Sequence, residues 1–171
     1  MATVGAGMST TTMQLRVTFA REVRNWSARV RSENNMREHW GARASRRGKQ
    51  RLLIGALWES ECARIGRRPG VPALVRLLRI SPQPLDALDN LAGSFKAICD
   101  EVAKRLGVDD RDERVKWSFC QQRGPIRKVS IVVEVTWRAR GATWPAWDRA
   151  PPIVIERPQD LENCRRMTRP V

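Results

Sequence analysis

Carboxylates gather in one stretch of an otherwise basic chain. Asp86 and Asp89 stand just ahead of a helix-like pattern, and Asp109, Asp110 and Asp112 follow just past its end. Hard divalent cations such as Mg²⁺ take oxygen ligands of this kind, usually one or two carboxylates with waters and a substrate phosphate. Asp89, Gly93, Lys96 and Asp100 recur at spacings of four, three and four, which places them in one row on a helix. The Gly93 gap in that row would let a DNA phosphate come close to the backbone. The bland alternative is an N-cap at Asp89, a solvated polar face and a charged loop.

The helix that must position these groups carries Leu91, Phe95, Ile98, Val102 and Leu106, an apolar stripe at helical spacing. Gly107 is its expected stop, with Lys104 and Arg105 in the last turn, where cations suit the helix dipole. Ahead of it, residues 72–80 read as a Val-, Leu- and Ile-rich strand, so the acids fall where a strand gives way to a helix.

The whole chain has 171 residues and a formal charge of +14. That length suits one domain with a proper core, and 42% hydrophobic residues with seven Trp argue for a folded chain. The charge is the footprint of a nucleic-acid binder. It is uneven: residues 1–80 carry 16 Lys+Arg against 5 Asp+Glu, and residues 81–171 carry 16 against 13. Cys62, Cys99, Cys120 and Cys164 are far apart in sequence, and His39 is the lone histidine, which argues against a zinc site. Cys99 lies beside the apolar stripe and reads as a buried thiol, and His39 reads as structural. No signal peptide or long uncharged apolar run is visible. A cytoplasmic protein with no membrane partner and no small-molecule substrate is expected.

In chain order, residues 1–12 read as a disordered leader or a misplaced start. Residues 13–19 alternate as a strand, and Trp26, Ala28 and Val30 alternate as its continuation or partner. A long helix is expected from about 35 to 64. Its early part is basic, with Arg37, Arg43, Arg46, Arg47, Lys49 and Arg51, and its later part is apolar. One end could lie on DNA while the other is buried. A loop follows at 66–70. Residues 114–122 and 129–137 read as strands and are expected to pair antiparallel around the turn at Arg123-Gly124-Pro125. Beyond 141 the chain is Pro- and Arg-rich and is expected to form a partly mobile extension. The fold class is α/β, one domain over 13–140 with a mixed sheet packed by two main helices.

Two stretches resemble the RusA-like Holliday junction resolvases. One is Asp89-Asn90-Leu91 with Phe95-Lys96-Ala97, Asp100, Gly107 and Asp109-Asp110. The other is Ser32-Glu33-Asn34-Asn35 followed by Arg37-Glu38-His39-Trp40, similar to phage-type members. The resemblance spans roughly residues 15–138. It implies a homodimeric, Mg²⁺-dependent endonuclease, with Mn²⁺ as the substitute metal. Such an enzyme nicks four-way DNA junctions symmetrically, in a phage, prophage or nucleoid setting. Asp86, Asp89 and Asp110 would be the metal ligands, with Asp109 as the stand-in, and Lys96 the lysine at the scissile phosphate. Lys96 stands about one helical turn further from Asp89 than in the shortest members. The family pattern is Asp-x-Asp-Asn, whereas Ala87 stands two before Asp89. Asp86 takes that role through a one-residue bulge, or one ligand is missing.

A carboxylate-held metal would polarise the phosphate and lower the pKa of a bound water, the nucleophile. Lys96 would stabilise the charge that develops in the transition state. Asn35, Arg37, Arg43, Arg46, Arg47, Lys49 and Arg51 would hold DNA backbones, setting affinity and salt dependence. Two-fold symmetry of a junction matches a C₂ dimer with two sites. Two other readings stay open: a DNA-binding protein of this fold without catalysis, and a general nucleic-acid-binding or assembly protein.

Overall fold

The computed structural model describes residues 10–20, 27–31, 38–85 and 90–138. Four strands and three helices alternate along the chain: β1 (Thr10–Ala20), α1 (Trp40–Ile65), β2 (Ala73–Ser81), α2 (Leu91–Ser94), α3 (Lys96–Leu106), β3 (Val115–Arg123) and β4 (Lys128–Arg138). The sheet order is β1-β4-β2-β3. β4 runs antiparallel to both β1 and β2, while β2 and β3 run parallel, joined through α2 and α3. The fold is thus a small α/β domain with a mixed sheet. No helix among the described residues is long and apolar enough to cross a membrane.

Period-two alternation builds the core. Met13, Leu15, Val17 and Phe19 of β1 lie in register with Val135, Val133, Ile131 and Val129 of β4, and all eight are buried. Val75 and Leu77 continue those rows into β2. Burying an aliphatic or aromatic side chain of this size stabilises by roughly 1.5–3 kcal/mol. The alternate face is more polar, with hydroxyl pairs Thr12–Thr136 at 3.0 Å and Thr18–Ser130 at 2.9 Å, and a small apolar cluster of Leu78, Cys120 and Val132.

The stripe Leu91, Phe95, Ile98, Val102 and Leu106 is buried as expected, but it does not form one helix. Phe95 (φ −94°, ψ −1°) ends α2 and begins α3, and its ring stacks on Phe119 at 6.0 Å. A buried ring at the junction keeps the stripe continuous across the break. Gly107 (φ +74°) ends α3. Its N–H bonds Lys104 O, and Val108 N–H bonds Ala103 O, both at 3.1 Å. These are the two Schellman bonds that satisfy the last carbonyls, and a positive φ at that position favours glycine.

Four further expectations are corrected. β1 already includes Thr10 to Thr12, which the sequence pattern places in a leader. Residues 27–31 form a short 3₁₀ turn and irregular backbone instead of a strand. α1 starts at Trp40, because His39 Nδ1 caps it by accepting from Gly41 N at 3.2 Å. Finally, β3 and β4 do not pair; β2 lies between them. The connection at 124–127 therefore passes over the end of β2, where Gly124 N–H bonds Ser81 O at 3.0 Å. A Cβ on Gly124 would come 2.6 Å from Ile80 Cγ2 and 3.2 Å from Ser81 N, so the crossing requires glycine.

Candidate functional site

α3 opens with Lys96. Its ammonium sits between Asp110, with which it forms a short ion pair, and Asp100 one turn along the helix at 2.9 Å. Arg51 of α1 holds the other Asp100 oxygen at 2.8 Å. Three separate segments therefore meet here: the middle of α1, the first turn of α3 and the loop before β3. Trp117 of β3 donates its indole N–H to Asp110 O at 3.1 Å, fixing the backbone at that residue. The bond from Lys96 holds the Asp110 carboxyl below the usual carboxylate range. Asp110, and then Asp100, raise the Lys96 ammonium. Both groups are therefore charged at neutral pH.

The other acids separate by role. Asp109 Oδ1 accepts from Arg111 N at 3.0 Å. Asp112 is gripped by Arg114 at 2.6 and 2.9 Å, which pushes its carboxyl down to about 2; it shapes the loop. Asp86 and Asp89, with Ala87 between them, lie outside the described residues. Asn90, not Asp89, is the N-cap of α2. Nothing lies within 4 Å of where a Gly93 Cβ would be.

The chain entering the Asp86–Asp89 stretch is held by two buried side chains that sequence reasoning missed. Gln121 of β3 binds residue 85 from both sides: Leu85 N donates to Gln121 Oε1 at 2.8 Å, and Gln121 Nε2 donates to Leu85 O at 2.6 Å. Arg79 of β2 donates to Gln83 O at 2.8 Å. Arg79 and Gln121 are register partners. The signal was present in the sequence. Val75-Leu77-Arg79 and Trp117-Phe119-Gln121 each break an apolar alternation with a polar residue at the same level of the sheet.

The basic stretch of α1 divides by helical phase. Arg46, Gln50, Ile54, Trp58 and Cys62 recur every four residues and form the buried row. Arg46, one of the expected DNA contacts, is 3% exposed, and its guanidinium grips Glu38 at 2.7 Å, so burial and pairing leave it little surface to offer a partner. Arg43, Arg47 and Arg51 form a second row, also spaced by four, that runs over about 12 Å of helix to Asp100. Lys49 is exposed and donates to Ser27 Oγ at 3.2 Å. Asn35 and Arg37 lie outside the described residues. Trp40, 77% exposed, lies against the His39 ring at the head of α1. The lone histidine, expected to be structural, caps the helix.

Cys99 is buried, and desolvation pushes its thiol up to about 12, which leaves it unreactive. Among the described residues no three His, Cys, Asp or Glu side chains converge to hold a metal ion. Of the four expected metal ligands only Asp109 and Asp110 lie among the described residues. Asp110 offers carboxylate oxygen, the donor type that hard cations take, and in this structure it is ion-paired with Lys96. The chain matches no known family model, and no curated protein matches it.

Proposed function

We propose that this protein is a RusA-like, structure-selective endonuclease that resolves four-way DNA junctions by symmetric nicking as a homodimer, with Mg²⁺ as its cofactor. One observation carries the reading: a cationic row on α1 leads to Asp100, Lys96 and Asp110. A phosphodiester backbone following Arg43 and Arg47 would arrive at an ammonium flanked by carboxylates. Lys96 would then exchange a carboxylate partner for a phosphate oxygen and stabilise the charge developing there. Asp110, with Asp86, Asp89 and Asp109, would hold the metal, which when bound supplies charge neutralisation and an activated water. Gln121 and Arg79 would fix the backbone that delivers Asp86 and Asp89.

The test is cleavage of a labelled synthetic four-way junction with Mg²⁺, set beside Asp89→Asn and a linear duplex. Symmetric nicks in the junction alone, abolished by Asp89→Asn, are the expected result. Equal cutting by the variant would remove Asp89 from the site, and equal cutting of the duplex would end junction selectivity. A second reading, a basic DNA-binding protein of this fold without catalysis, is favoured by Ala87 at the position of a family carboxylate. Tight junction binding without cleavage by the wild type would establish it.

A further inference from the structure

At the end of β2 lies an open cavity of about 690 Å³ lined by Arg29, Arg31, Arg79 and Arg127 together with the 81–85 segment. Among the described residues no carboxylate lines it. Glu38, an acid that feels Arg31, is already bound by Arg46. Arg31, Arg79 and Arg127 repel one another across the hollow unless an anion sits among them. Arg79 sharpens this. It is 6% exposed, its Nε is buried without a partner, and burial pushes its pKa down to about 10. A buried charge with an unmet donor is destabilising on its own and is compensated by a bound negative group. Arg127 is held at φ +62° in the tight connection to β4, so a strained backbone sets where this exposed arginine emerges.

We propose that this cavity is a phosphate subsite, separate from the Lys96 cluster, that takes one backbone phosphate of the bound nucleic acid. The class follows from the donors: guanidinium forks match the oxygens of a phosphate, and the +14 chain selects a polyanion. The subsite rests on the nucleic-acid reading above and gives it a location. The segment through Gln83 and Leu85 lines the cavity and then enters the Asp86–Asp89 stretch. A phosphate seated here would register the strand relative to those acids.

The experiment measures equilibrium binding of a labelled four-way junction to the full chain in EDTA across a salt series, so that cleavage plays no part. Arg79 is left intact because it also holds Gln83. Arg31→Gln and Arg127→Gln are made singly and together, with Lys104→Gln/Lys116→Gln as an exposed control pair. The double variant should bind about tenfold more weakly at low salt, and its log–log salt slope should fall by about one, the value for one phosphate. The control pair should match the wild type. A slope equal to the control pair overturns the subsite. A fall of about two overturns it as well, because it means two separate backbone contacts in place of one shared phosphate. Thermal stabilisation by inorganic phosphate that the double variant loses, with its junction slope unchanged, would assign the cavity to a free phosphate and overturn the nucleic-acid assignment. An unchanged slope in a protein that still cuts junctions removes only the subsite. Failure to cut leaves this measurement standing.

Discussion

α1 and α3 are tied together by charge in two places, each built from two cations and two carboxylates. Toward their C-terminal parts, Arg105 links Glu101 on its own helix to Glu59 of α1, and Arg68 holds the other Glu59 oxygen at 2.7 Å. Toward the start of α3, Lys96 and Arg51 link Asp100 and Asp110. The stoichiometry is the same but the setting differs. Glu101 is 7% exposed, so the first tie closes over a buried acid. Lys96 is 49% exposed and faces a loop, so the second tie is open to solvent and to anything that docks there. Its members are exposed enough that their pairing adds little to stability. Charge networks of one composition thus divide into a fastener and a candidate working site, and burial decides which is which.

The comparison predicts a clean separation of effects. Lys96→Ala should lower junction cleavage by about 10²–10³-fold while junction binding and Tm hold; normal cutting would make the two ties equivalent. Arg105→Ala should do the reverse. Leaving Glu101 buried without its partner should cost about 1–3 kcal/mol, a Tm loss of about 5 °C, with cleavage unchanged once folded. Next in size, Arg43→Ala with Arg47→Ala should weaken junction binding and flatten the salt slope by about one to two, whereas Arg46→Ala should act on Tm. An unchanged slope would place the DNA path away from this face of α1. The smallest effect is at acid pH. Arg114 lowers the Asp112 carboxyl from 3.8 to about 2. A depressed carboxyl contributes stability that is complete above its unfolded value and is lost as pH falls through the folded one. The Tm gap between wild type and Asp112→Asn should therefore shrink between pH 4 and pH 2.

Much of the architecture was legible because its signals are local. Alternation marked the strands near 13–19, 72–80, 114–122 and 129–137, and the stripe from Leu91 to Leu106 marked the helical segment. Strand partnership was not legible. Two neighbouring strands joined by a short Gly-Pro turn look like a hairpin, whereas the sheet pairing puts β2 between them and packs Gly124 closely over Ile80 and Ser81. The break at Phe95 was hidden because the stripe stays in phase across it. At the candidate site, the Lys96–Asp100 pair follows from helical spacing. Its link to Asp110 does not, because a loop's return path is set by Trp117 and the sheet. In α1, the row from Arg46 to Cys62 was readable from its four-residue period, but counting arginines as one patch concealed that Arg46 belongs to the core.

The strand order also bears on how the molecule comes into being during synthesis. β1 hydrogen-bonds only to β4 among the described strands, and Thr12 and Thr136, which meet across that pair, are 124 residues apart. A ribosome releases β1 first and its partner last of the four. Until β4 emerges, Met13, Leu15, Val17 and Phe19 have no strand neighbour, while β2, α3 and β3 can already assemble as a local βαβ unit. Closing so long a loop is slow. A nascent chain halted before residue 128 would present an apolar, unpaired ribbon, a natural target for the chaperones that shield such segments.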